Sequence, residues 1–214
     1  MLVGDARAAW YKYFSAAMDT SDAQLPEMSE AQPVVSPFHR ELRVWARDLL
    51  LALCFAFVII VFLYQPVKVE GTSMAPMISD QERIFINKLV YRFEPIGRGD
   101  VVVFWYPLDR SKSFIKRVIG LPGDTVDIRQ GRVYVNGRRL AEPYLLPQYL
   151  DASSYGPIPV PPGEYFVMGD HRDSSNDSRV FGSVPERYIY GKAVFAYWPM
   201  DHFGTITAAA ASIK

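Results

Sequence analysis

At 214 residues the chain is long enough for one well-filled core, and 50% hydrophobic with 14% aromatic residues excludes a disordered polymer. Lysine plus arginine (23) balances aspartate plus glutamate (23), and no contiguous basic stripe is present, which argues against nucleic acid as a partner. The one cysteine, Cys54, sits inside an apolar run, so neither an internal disulfide nor a thiolate zinc site is available, and no metal or cofactor is expected.

Trp10, Phe14 and Ala17 fall at helical spacing, and a polar, proline-bearing stretch follows from Ser21 to Pro37. This reads as a short helix and a linker. From Leu49 to Tyr64 the sequence LLLALCFAFVIIVFLY carries no charge and, extended to Val67, approaches the roughly 20 residues that cross a bilayer. It lacks the polar face of a surface helix, and Trp45 and Tyr64 stand where interfacial aromatic residues lie. Nearly fifty residues precede it and no small-residue cleavage pattern follows, so a retained anchor fits better than a removed leader. Arg40, Arg43 and Arg47 before the run, against Lys68 and Arg83 after it, place the N-terminus in the cytoplasm. The expected divisions are a tail at 1–47, a transmembrane helix at 48–66, a catalytic domain at 67–200 and a C-terminal tail at 201–214.

Beyond the anchor, short β-rich runs recur between turn signals: VVVFWYP after Gly99-Asp100, then VYVNG, EYFVMGD and KAVFAYWP. Gly131 and Asn136-Gly137 punctuate a hairpin within DIRQGRVYVNGRRL. Six prolines between Pro143 and Pro162 argue against a central strand there and for an extended surface loop. The fold class is mainly β, behind one N-terminal helix.

Two residues stand out chemically. A serine hydroxyl is a poor nucleophile until a base takes its proton, and a neutral lysine can be that base. Ser73, in Gly71-Thr72-Ser73-Met74-Ala75-Pro76, and Lys116, in Phe114-Ile115-Lys116-Arg117-Val118-Ile119, are the candidates. In a strand, Phe114, Lys116 and Val118 share one face and Arg117 takes the other, so the amine would be flanked by apolar groups that lower its pKa. A lone strand lysine is ordinarily a surface residue whose stem snorkels; the surrounding motifs overturn that reading.

The boxes GTSMAP (71–76), GDVVVF (99–104), KRVIGLPGD (116–124) and GDHRDSSNDSR (169–179), in that order behind an anchor, resemble those of bacterial type I signal peptidases. The resemblance runs from about Leu49 to Pro199. It implies a signal-peptidase-like β-rich catalytic domain outside the cytoplasmic membrane that removes signal peptides from exported preproteins, cutting after Ala-x-Ala-like sites. It makes Ser73 the nucleophile and Lys116 the general base. Ser175 would orient the lysine amine, and Asp177 and Arg179 would form a supporting ion pair joined by Arg117. The partners implied are preprotein signal peptides, membrane lipids and the secretion translocon.

Two positions depart from the family pattern. Gly71 stands where part of the family has a serine hydroxyl, which leaves the second oxyanion donor open beside the Ser73 N–H, and Met77 replaces a usual threonine. Val67, Val69, Gly71, Met74, Phe114 and Ile115 are expected to line small apolar substrate pockets, which would reject large side chains by overlap. The short link from Tyr64 to Ser73 reaches at most about 30 Å, so the scissile bond would lie near the membrane.

Other readings compete. His171 beside Asp170 and Asp173 allows a serine–histidine–aspartate arrangement. His171-Arg172-Asp173 matches a kinase catalytic-loop string, but no glycine-rich phosphate loop or DFG accompanies it. Another Ser-Lys processing peptidase of the same fold, or a non-catalytic membrane-tethered module that binds signal peptides, are the functional alternatives.

Overall fold

The computed structural model describes residues 37–207. The helix and linker expected before Pro37 lie outside the described residues, as does the end of the chain from 208. Helix α1, Pro37–Leu63, opens with proline at its first position, where the missing N–H costs nothing. It therefore begins well before residue 48 and stops before 66, since the segment Arg40–Asp48 is also composed of good helix formers. Large apolar side chains between Leu42 and Ile60 are solvent-facing: Phe55 is 73% and Phe57 68% exposed. Among the described residues no helix is long and apolar enough to cross a membrane.

Tyr64–Pro66, expected inside the span, instead belong to strand β1, Tyr64–Lys68. β1 pairs antiparallel with β2, Arg83–Asn87, and lies at the sheet edge, where Pro66 need not donate to a second neighbour. The remaining strands are β3 (Val101–Trp105), β4 (Ser113–Gly120), β5 (Thr125–Arg129), β6 (Arg132–Val135), β7 (Arg138–Arg139), β8 (Tyr155–Pro159), β9 (Glu164–Met168), β10 (Val184–Pro185), β11 (Ile189–Trp198) and β12 (Gly204–Thr205). The larger sheet runs β1-β2-β11-β3-β4-β9-β10, with β12 on β11; the smaller runs β7-β6-β5-β8. A short helix α2, Ser178–Phe181, follows β9.

Side-chain alternation builds the core on both faces of β3. Val101 and Val103 join Ile84, Ile86 and Ala193 on one side, while Val102 and Phe104 join Val118 and Val167 on the other. A third cluster, with Val126, Ile128, Val133 and Val135 against Ile119, Phe166 and Met168, seats the smaller sheet on the larger. The expected hairpin forms between β5 and β6 and a second follows between β6 and β7: Gln130-Gly131 and Asn136-Gly137 all have positive φ, as two-residue turns between twisted strands require.

Two expectations change. The proline-rich stretch contributes β8, which pairs with β5 as an edge strand, a place that tolerates Pro157 and Pro159. The expected C-terminal tail is structured through Ile206: β12 pairs with β11, and Ile206 is buried in the core that holds Ile84 and Ile86.

Candidate active site

Ser73 sits in the turn that follows β1. Gly71 has φ of 101°, a left-handed conformation that favours glycine, and its N–H donates to Asp80 Oδ1 at 2.7 Å. Met74 is 1% exposed and packs with Val69 and Ile78, so it anchors the turn from below. The Ser73 carbonyl accepts from the His171 N–H at 3.1 Å. Among the described residues nothing accepts from the Ser73 N–H, which leaves it free to meet an oxyanion.

Lys116 reaches Ser73 from β4, with Nζ 2.6 Å from Ser73 Oγ. It is 4% exposed, and its amine lies 5.4 Å from the centre of the Phe114 ring. Burial lowers its pKa to about 8, against the opposing pull of the Asp177 and Asp170 carboxylates. Lys116 is in register with Val102 and Arg117 with Val101, so the two cations do take opposite faces of the strand.

Arg117 corrects an expectation. Its partner is Asp170, bound through Nε at 2.8 Å and Nη2 at 2.7 Å, rather than the pair Asp177–Arg179. The reason is the strand face: that side of β4 meets the start of the loop after β9, where Asp170 lies. Arg117 also donates to the Gly99 carbonyl at 2.8 Å and to Met77 Sδ at 3.0 Å, which gives the unusual methionine a polar contact. The Tyr144 ring packs on its guanidinium at 4.1 Å.

Asp177 and Arg179 pair as expected, with Nε–Oδ1 and Nη2–Oδ2 both 2.8 Å. Burial works against the Asp177 carboxylate, but Arg179 and the Gly169 N–H hold its pKa below the ordinary value. Ser175 Oγ is buried, makes no hydrogen bond of good geometry and does not bond the Lys116 amine, but it stands close enough to Asp177 to help hold that carboxylate's pKa down. His171 turns away from the Ser73 hydroxyl: Nδ1 lies 3.2 Å from the Thr72 carbonyl and Nε2 3.0 Å from Asp173 Oδ1. The serine–histidine–aspartate arrangement is therefore not built.

A cleft of about 380 Å³ opens beside Ser73 and Lys116. Val67, Val69, Phe114 and Ile115 line it as expected; Gly71 and Met74 do not, the glycine because its turn leads away and the methionine because it is core. Ile84, Ile86, Val103 and Tyr190 add further apolar wall, and Lys68, Glu70, Ser113 and Asn176 add polar groups. The alternation of RIFIN could have revealed Ile84 and Ile86, because both face one side of β2. β9 pairs with β4 only from Arg117 onward, so Ser113–Lys116 keep a free strand edge beside the cleft.

Residues 42–198 match the family described as signal peptidase, peptidase S26. A signal peptidase I of Bacillus amyloliquefaciens is 41% identical over 165 residues, covering 72% of this chain and 84% of that protein. Signal peptidase I T of Bacillus subtilis (strain 168) is 38% identical over 166 residues, covering 73% of this chain and 86% of that protein. The crystal structure of a signal peptidase I from Enterococcus faecalis V583 is 33% identical and covers 46% of this chain and 97% of that one, with a TM-score of 0.41.

Proposed function

The chain belongs to the signal peptidase family, peptidase S26, and on that basis we propose that it is a serine endopeptidase that removes signal peptides from preproteins with Ser73 and Lys116. The observation that carries the reading is the 2.6 Å contact between a nearly buried lysine amine and a serine hydroxyl at the edge of an apolar cleft.

In the neutral state Lys116 accepts the hydroxyl proton as Ser73 Oγ attacks the carbonyl carbon of the scissile peptide. The Ser73 N–H stabilises the oxyanion that forms. Lys116, now an ammonium, passes its proton to the departing amine, and an ester remains on Ser73. Lys116 next takes a proton from water, which attacks the ester carbon; as the bond to Ser73 Oγ breaks, Lys116 returns that proton to the serine oxygen and the carboxyl product leaves. The buried Ser175 hydroxyl supplies a further partner for the amine during these transfers, while Asp177 with Arg179 and Arg117 with Asp170 fix the surrounding backbone.

The substrate lies extended along the free edge of Ser113–Lys116, bound by main-chain hydrogen bonds. Val67, Val69 and Ile115 leave room for alanine-sized side chains near the scissile bond. The exposed apolar residues of α1, which contains the uncharged run as far as Leu63, are covered by membrane lipid, with the catalytic domain outside the cytoplasm. The anchor holds Ser73 near the bilayer where a preprotein delivered by the translocon presents its cleavage site, and tethering raises the effective concentration.

The test is cleavage of an Ala-x-Ala preprotein in detergent, with the product's new N-terminus sequenced, beside precursors that carry phenylalanine at either alanine. Cutting after the second alanine, lost with phenylalanine, is expected. Equal cutting of all precursors contradicts the small-pocket reading.

A further inference from the structure

We infer that Glu142 and Asp151, on the segment that leads into β8, are positioning residues that hold the nucleophile's backbone through Gly169; the inference rests on the catalytic reading of Ser73 and Lys116. Gly169 is pressed against the nucleophile. A Cβ placed on it would lie 2.5 Å from the Ser73 carbonyl oxygen and would overlap Ser175 Oγ. Two residues on, the His171 N–H donates to that same Ser73 carbonyl.

Both polar groups of Gly169 are gripped. Its N–H donates to Asp177 Oδ2 at 3.0 Å, and its carbonyl accepts from Arg172 Nε at 3.0 Å. Neither grip ends there. Arg172, whose side chain is 1% exposed, extends to Glu142, and Tyr144 donates its hydroxyl to the same carboxylate at 2.9 Å. Arg179 binds Asp177 with Nε and Nη2 and reaches Asp151 Oδ2 with Nη1 at 2.5 Å. Arg179 Nη2 also donates to the Arg172 carbonyl at 2.7 Å, which joins the two arms.

Two carboxylates outside every recognised motif thus terminate two chains of charge-assisted bonds that converge on one residue behind Ser73, Gly169. Their release would let Gly169 and His171 drift and with them the Ser73 carbonyl and N–H. Misplacement of a reacting group by about 1 Å costs on the order of a hundredfold in rate. The cleft walls Val67, Val69 and Ile115 make none of these bonds, so substrate binding would be spared.

The experiment uses the full chain in detergent with an Ala-x-Ala preprotein, and compares wild type, Glu142→Gln, Asp151→Asn and Asp151→Glu. The expected result is a kcat about tenfold lower in the first two variants, with KM within about twofold of wild type and most of kcat restored in Asp151→Glu. Should Glu142→Gln fail to fold, Asp151→Asn decides, because Arg179 there keeps both bonds to Asp177. A folded Asp151→Asn with wild-type kcat overturns this inference alone. Wild type that cuts nothing, or a Ser73→Ala control that cuts, overturns the reading on which it rests.

Discussion

Lys116 Nζ lies 2.6 Å from Ser73 Oγ, although 43 positions separate the two residues in sequence. One comes from a turn after an edge strand and the other from the middle of β4. Their meeting depends on Met74 pinning the turn into the core and on β3 holding Lys116 in register with Val102. Burial that suppresses the lysine's charge is what makes the contact chemically useful.

The first consequence is a pH profile. With the Lys116 pKa lowered to about 8, only the neutral amine can accept the serine proton. kcat/KM for a preprotein should therefore rise about tenfold per pH unit below that value and level off above it. A rate independent of pH between 6 and 9 would show that Lys116 is not the titrating base.

The same shift has a cost in stability. The unfolded chain holds the lysine proton up to about pH 10.4, while the folded site gives it up near 8. Below pH 8 both states are protonated and the folded state carries the full penalty of a buried ammonium, on the order of 3 kcal/mol. Between 8 and the unfolded value the penalty fades as pH rises. Lys116→Met should raise Tm at pH 7 by several degrees, with the gain shrinking as the pH is raised towards 10. A Tm gain that stayed constant with pH would contradict this.

Arg117 and Asp170 form a pair whose side chains are 0% and 1% exposed. Removal of either partner leaves a buried charge alone, so Arg117→Met and Asp170→Asn should each cost about 3–5 kcal/mol. The double variant should cost well below the sum, since neither charge is then stranded. Urea midpoints in detergent for the four proteins measure this, and strict additivity would contradict the pairing.

The residues legible in sequence were those whose chemistry is local. Alternation assigned Lys116 and Arg117 to opposite faces, and glycine at Gly131 and Gly137 announced the hairpin turns. Alternation does not say which loop meets a face, and so Asp170 was missed as the partner of Arg117. Glu142 and Asp151 act across 30 and 28 positions and carry no motif. Met74, expected to line the cleft, is instead directed into the core by the turn at Gly71. β12 is two residues long, too short to show a period, and its place is fixed by Ile206 finding an apolar site beside Ile84.

The central claim is that Lys116 activates Ser73. Its most direct test is the cleavage rate of one defined Ala-x-Ala preprotein by wild type, Ser73→Ala and Lys116→Ala, all shown to be folded by thermal unfolding in detergent. The expected result is cleavage after the second alanine by wild type and loss of at least about a thousandfold in both variants. A folded Lys116→Ala protein that cuts at a near-normal rate would contradict the account.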